Sequence, residues 1–229
     1  ALLRERGLTL VTVLDTHVHA DHITGAWLAR EASGCRIGLA RIAEGALVDL
    51  HLCDGDVVSY GRQQLHVRAT PGHTDGCLSF VDEKTRFVFT GDALMIRGTG
   101  RTDFQQGSPA GLYESIQTQL FSLSEDCVVF PGHDYVGRAT STIAEERAFN
   151  PRIGGGASAM DFIGVPANFA PTCSRQPTSK PQLAGLNGAV ATPASSTILD
   201  QAPSDPSFAQ LAPPSARIVA SWTASTGPS

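Results

Sequence analysis

The 229-residue sequence predicts an α/β (α+β) domain over residues 1–170, followed by a low-complexity tail over 171–229. Three observations carry that reading. Short apolar, β-branched runs alternate with turn signals and helical patterns through the first 170 residues. The clusters of histidine and acid at 15–22, 71–73, 91–92 and 131–133 all fall where one of those runs ends. Past residue 170 come nine of the fourteen prolines and only five charged side chains. That segment has too few large apolar residues to offset the entropy of ordering it, so a disordered tail is expected.

Residues 8–14, LTLVTVL, read as a buried strand by their β-branched content. A helix is expected over 24–33, with Ile23 and Trp27 one turn apart and Gly34 as its C-cap. RIGLA at 36–40 is the next strand, and His51 falls in a connector before the Asp54-Gly55 turn. In 64–70, Leu65, Val67 and Ala69 alternate with Gln64, His66 and Arg68, the pattern of a half-buried strand with His66 on its polar side. LSFVD and RFVFTGD, joined by Glu83-Lys84-Thr85, form a hairpin. Ser108-Pro109 opens a helix with Leu112, Ile116 and Leu120 on one face. CVVFPGH at 127–133 is a further strand, and Thr142-x-x-Glu145 is a capping box for a helix ending near 149.

Bulk properties narrow the function. A net charge of −5 leaves no basic footprint for nucleic acid, and no apolar run approaches the ~18–20 residues of a membrane span. The opening ALLRERG lacks the pattern of a signal peptide. Five scattered cysteines, odd in number and without a CxxC pair, fit free thiols in a reducing compartment, so the cytoplasm is expected. A mitochondrial location follows if a targeting segment has been removed.

The chemistry gathers on four loops. His17, His19, Asp21 and His22 lie within six residues, and His73, Asp92 and His133 follow on later strand ends. Imidazole and carboxylate donors suit zinc, iron or manganese, and no thiolate joins them as a structural zinc site would require. Loops at the ends of a rigid sheet can present such ligands together. On residue types alone the set could hold one metal or two.

THVHADH, TPGHTDG, FTGD and PGHD, in that order, resemble the metallo-β-lactamase superfamily. The resemblance spans about residues 8–150 and implies an αββα sandwich with a metal site at one edge. ALMIRGTGRTDFQQGSPAGLYESI after Asp92, and DYVGRATSTIAEERAFNPRIGGG after His133, are similar to the persulfide dioxygenases, iron enzymes related to glyoxalase II. Membership implies one Fe(2+) per chain held by His17, His73 and Asp92, two histidines and a carboxylate that leave one face open. His19, Asp21, His22 and His133 would then orient ligands or bound water, or, in the binuclear alternative, hold a second metal. The implied reaction takes glutathione persulfide, O2 and water to sulfite and glutathione. Arg101, Tyr135 and Arg152 are the implied substrate-binding residues, arginine being suited to the carboxylates of glutathione. Cys77 is expected to be buried and inert.

The alternatives are a binuclear zinc thioester hydrolase of glyoxalase II type, with two Zn(2+), and a non-catalytic remnant that binds metal or glutathione. A homodimer is a candidate assembly. The chain departs from the family pattern at its ends. It is expected to start inside the helix that leads to the first metal motif, without the first strands of the sandwich, and the match stops after VPANF.

Overall fold

A computed structural model describes residues 2–19, 23–43, 48–104, 106–164 and 219–220. In chain order the elements are α1 (Leu2–Glu5), β1 (Thr12–Leu14), α2 (Ala26–Ser33), β2 (Arg36–Ala40), β3 (Leu50–Leu52), β4 (Val57–Tyr60), β5 (Gln63–Ala69), β6 (Leu78–Asp82) and β7 (Phe87–Gly91). There follow α3 (Pro109–Ser115), which runs on into a π-helical turn over Ile116–Leu120, then β8 (Val128–Pro131), β9 (Ser141–Thr142), α4 (Ile143–Phe149), α5 (Ala159–Gly164) and β10 (Val219–Ala220). Two sheets form. One has the order β10-β1-β2-β3 and is parallel throughout. The other has the order β4-β5-β6-β7-β8-β9 and is antiparallel except for the β7–β8 pair.

Alternation along the strands dictates how these sheets stack. In β1, Val13 turns outward to join Ala26, Cys35 and Ile37 beneath α2. Its neighbour Leu14 turns inward and meets Ala40, Leu52, Leu65, Val67, Leu78 and Phe80 between the sheets. The other face of the six-stranded sheet buries Val88 and Val129 against Leu112, Ile116, Leu120, Ile143 and Phe162 of the helical side. The layers are therefore helix, sheet, sheet, helices: the αββα sandwich.

Local signals explain most of the elements. Gly34 takes φ 70° and donates its N–H to the Arg30 carbonyl, closing α2 where a Cβ would be strained. Ser108 caps α3, its hydroxyl accepting from the Gly111 N–H, with Pro109 in the first turn. Thr142 caps α4 by accepting from the Glu145 N–H, but the capping box is not closed in the usual way. Glu145 instead accepts from the Ser141 hydroxyl at 2.9 Å.

Two expectations need correction. The first strand covers 12–14 rather than 8–14, because Leu8 is drawn back by its N–H to the Leu3 carbonyl in the turn after α1. His51 is not in a connector but in β3, opposite Leu39, with its side chain exposed. The tail expectation falls outside the described residues, apart from Val219–Ala220, which pair in parallel with Val13 and Leu14.

Candidate metal centre

Four strand ends converge on a single point. His17 follows β1, His73 follows β5, Asp92 follows β7 and His133 follows β8. One ligand atom from each of His17, His73 and Asp92 lies within 4.8 Å of the others. Asp92 Oδ2 stands 3.6 Å from His73 Nε2 and 4.0 Å from His17 Nε2, so both imidazoles aim the same nitrogen at the same oxygen. The other carboxylate oxygen, Oδ1, accepts from His133 Nδ1 at 2.7 Å.

The nitrogens on the far sides are tied back. His73 Nδ1 lies 2.7 Å from the Arg101 carbonyl, which can only accept, so Nδ1 carries the proton and Nε2 offers a lone pair. His17 Nδ1 is in contact with the Thr16 hydroxyl at 3.0 Å. His17 Nε2, by contrast, is buried and has no hydrogen-bond partner. An orphaned buried nitrogen is costly unless something else takes its lone pair. A metal ion is what this donor set fits: two imidazole nitrogens and one carboxylate oxygen facing one another, one of the nitrogens without a hydrogen-bond partner.

Electrostatics agree. Burial drives the His17 imidazole down to about 3, against the pull of Asp92, so it is neutral near pH 7. Burial also acts to raise the Asp92 carboxyl. The His133 hydrogen bond and the electrostatic pull of the surrounding His133, His17 and His73 imidazoles outweigh it and leave Asp92 below the ordinary carboxylate value. The backbone approaches so closely that no side chain would fit. A Cβ on Gly132 would lie 2.6 Å from Asp92 Oδ1, and one on Gly100 would lie 2.9 Å from the His73 ring.

The remaining sequence-named residues sit as follows. His19 packs its ring 4.2 Å from that of His17 and 6.3 Å from that of His133, so it belongs to the same cluster. Asp21 and His22 lie outside the described residues. Tyr135 is exposed and stacks nearly parallel to the His133 ring at 6.1 Å. Arg101 reaches the centre through its carbonyl, while its exposed guanidinium forks onto Asp103 at 2.8 and 2.9 Å and lies over Phe104. Arg152 places its guanidinium 5.2 Å above the Phe162 ring, and burial lowers its pKa. Cys77 is buried, with its thiol pushed up to about 11 chiefly by desolvation. Thr16 and the Arg101 carbonyl escaped sequence reasoning. A main-chain acceptor has no residue-type signal, and a threonine beside a histidine is unremarkable.

Comparison with known proteins agrees with the fold. Residues 1–133 match the family model of the metallo-beta-lactamase superfamily. The chain is 48% identical over 169 residues to the mitochondrial persulfide dioxygenase ETHE1 of Homo sapiens, covering 73% of this chain and 65% of that protein. It thus spans less than two thirds of that relative's length. It is 37% identical over 137 residues to a hydroxyacylglutathione hydrolase of Cereibacter sphaeroides, covering 59% of this chain and 52% of that one. The crystal structure of ETHE1 from Myxococcus xanthus superposes with a TM-score of 0.67 at 44% identity, covering 71% of each chain. With a matching αββα sandwich and its histidines and aspartate at the strand ends, the chain belongs to the metallo-beta-lactamase superfamily.

Proposed function

We propose that this chain is an iron(II)-dependent persulfide dioxygenase that converts glutathione persulfide, O2 and water to sulfite and glutathione. The observation that carries the reading is the convergence of His17 Nε2, His73 Nε2 and Asp92 Oδ2, with the His17 nitrogen buried and unsatisfied. Two histidines and one carboxylate on one side of a metal fit mononuclear iron that activates oxygen. Engagement of Asp92 Oδ1 by His133 favours one metal over two, because that oxygen is already a hydrogen-bond acceptor rather than free to bridge. The similarity to persulfide dioxygenases, at higher identity than to the hydroxyacylglutathione hydrolase, points the same way.

Each residue has a distinct task in this reading. His17, His73 and Asp92 would hold the iron, which supplies affinity for a soft sulfur anion together with the capacity to reduce O2. Thr16 and the Arg101 carbonyl fix the two imidazoles, and His133 fixes the carboxylate. His19 sits where it can orient bound water, and Asp21 and His22 are assigned the same role from the motif alone. Arg101, Tyr135 and Arg152 are assigned to the glutathione moiety. For Arg101 this requires exchanging Asp103 for a substrate carboxylate, a swap between two forks of the same shape at an exposed site.

We assign the activity to residues 1–170, with 171–229 as an appendage. No helix among the described residues is long and apolar enough to cross a membrane. The mitochondrial name of the Homo sapiens relative favours the mitochondrion over the cytoplasm as the place of action.

The test is metal content per chain after anaerobic loading with iron(II) or zinc, together with oxygen uptake on adding glutathione persulfide. One iron per chain and persulfide-dependent oxygen consumption are expected. Two zinc ions with thioester hydrolysis and no oxygen uptake would replace this reading with the hydrolase. Metal bound without either turnover would leave a binding remnant.

A further inference from the structure

The least expected side chain in the helical layer is Glu146. It lies on α4, is fully buried, and makes four hydrogen bonds on the side of the domain that carries the Met95–Gly98 turn. Arg97 donates its backbone N–H to Oε2 at 2.8 Å and its Nη1 to Oε1 at 2.5 Å. Asn150, one helical turn on, donates to Oε2 at 2.8 Å. The fourth donor, the Ser141 hydroxyl, reaches Oε1 at 2.6 Å from β9.

What this carboxylate grips is a strained turn. Met95 and Gly98 exchange backbone hydrogen bonds of 3.0 and 3.2 Å, and between them Arg97 takes φ 60°, a left-handed conformation that a side chain disfavours. Both the amide and the guanidinium of that strained residue end on Glu146. Asn150 closes the grip, its Nδ2 lying 3.0 Å from the Gly98 carbonyl and 3.3 Å from that of Met95. A conformation of this kind persists only where its surroundings over-determine it.

The turn leads directly to the metal centre. Two residues past Gly98, the Gly100 N–H donates to the Asp92 carbonyl at 2.7 Å, and the next carbonyl, that of Arg101, accepts from His73 Nδ1. We propose that Glu146 is a positioning residue for the metal ligand His73: with Asn150 it locks the Met95–Gly98 turn, and so fixes the Arg101 carbonyl that holds His73 with Nε2 facing Asp92. The proposal rests on the metal reading of the site but predicts an effect visible without metal.

The experiment compares the full chain with Glu146→Gln, Asn150→Ala and Ser141→Ala. Ser141 donates to the same carboxylate from β9, and its hydroxyl bonds reach Glu145 and Glu146 rather than the turn, so its loss reports general damage to the network. Two readouts are taken: zinc(II) affinity by competition with a chelator, and the tautomer of the His73 ring by nitrogen-15 NMR of the metal-free protein. Glu146→Gln and Asn150→Ala are expected to weaken zinc binding by about 10–100-fold, the usual effect of removing a group that orients a ligand. Both should also mix the His73 tautomers, while Ser141→Ala leaves affinity and tautomer unchanged. Wild-type affinity with a single Nδ1–H tautomer in both turn variants would overturn the proposal, as would an equal loss in Ser141→Ala. If Glu146→Gln does not fold, Asn150→Ala decides. If the wild-type chain takes up no zinc, the metal reading fails and the metal-free tautomer comparison still decides this one.

Discussion

Removing His17 and removing His133 are expected to act differently on the bound metal. His17 offers a buried, neutral nitrogen with no other partner, so His17→Ala should abolish stoichiometric metal binding. His133 touches the centre through Asp92 Oδ1, so His133→Ala should keep one metal per chain with affinity lowered by about 10–100-fold. Metal analysis and chelator competition separate the two outcomes. Loss of one metal from a two-metal protein on removing His133 would contradict the mononuclear arrangement. A second residue-level expectation concerns the thiols. Cys77 is buried with its thiol raised to about 11, whereas Cys53 is partly exposed. Iodoacetamide at pH 8 should therefore label the Cys53 peptide well before the Cys77 peptide, because the thiolate is the reactive form. Equal labelling by peptide mass spectrometry would show that the loop after His73 opens readily.

Among the elements, α3 is the one most exposed to a small change elsewhere. Gly72 takes φ 137°, and a Cβ there would stand 2.3 Å from the Leu112 backbone nitrogen. Gly72→Ala should push α3 off the sheet and cost about 1–3 kcal/mol, read as a lowered denaturation midpoint at constant slope. An unchanged midpoint would mean that α3 is not seated as described. A glycine beside a histidine signals a tight turn in sequence, but nothing in the sequence signals its contact with a helix forty residues on. That difference is general here. The hairpin of β6 and β7, the Gly34 cap of α2 and the Ser108-Pro109 start of α3 were readable because each depends on a few adjacent residues. The β3 and β4 strands escaped notice, since LHL and VVSY are short and lie at or near sheet edges. The π-helical turn after α3 preserves the helical spacing of Leu112, Ile116 and Leu120, so pattern alone could not distinguish it. At the metal centre, the seven candidate donors were visible as residue types, and five of them cluster among the described residues. The Arg101 carbonyl and the Thr16 hydroxyl that aim the two imidazoles were not visible, because a main-chain acceptor on another loop has no residue-type signature and a threonine beside a histidine is commonplace.

For the molecule as a whole, the buried centre makes the metal-free fold acid-sensitive. His17 protonates near 3 in the fold and near 6.5 in an unfolded chain, so below about 6.5 the unfolded state binds the proton first. Stability of the metal-free protein should then fall as pH drops from about 6.5 towards 3, with a slope of up to about 1.4 kcal/mol per pH unit from this residue. Asp92, whose carboxyl is depressed, has the same sign: its contribution is present above the ordinary carboxylate pKa and is lost as pH falls through the folded value. Urea titrations of metal-free protein at several pH values measure this, and a midpoint independent of pH over that window would contradict it. The parallel pairing of β7 and β8 has a further consequence. Both strands end side by side, joined where the Gly132 N–H donates to the Gly91 carbonyl at 2.7 Å, and each hands over one residue within two positions of its end, Asp92 directly after β7 and His133 just past Gly132. The spacing of that pair is thus inherited from the sheet and not negotiated by loops. Arg101 and Tyr135 lie farther along the same two excursions and reach solvent. Changes at such exposed tips leave the strand ends untouched, so the Asp92–His133 pair, being part of the weave, drifts hardly at all while the loops beyond it vary.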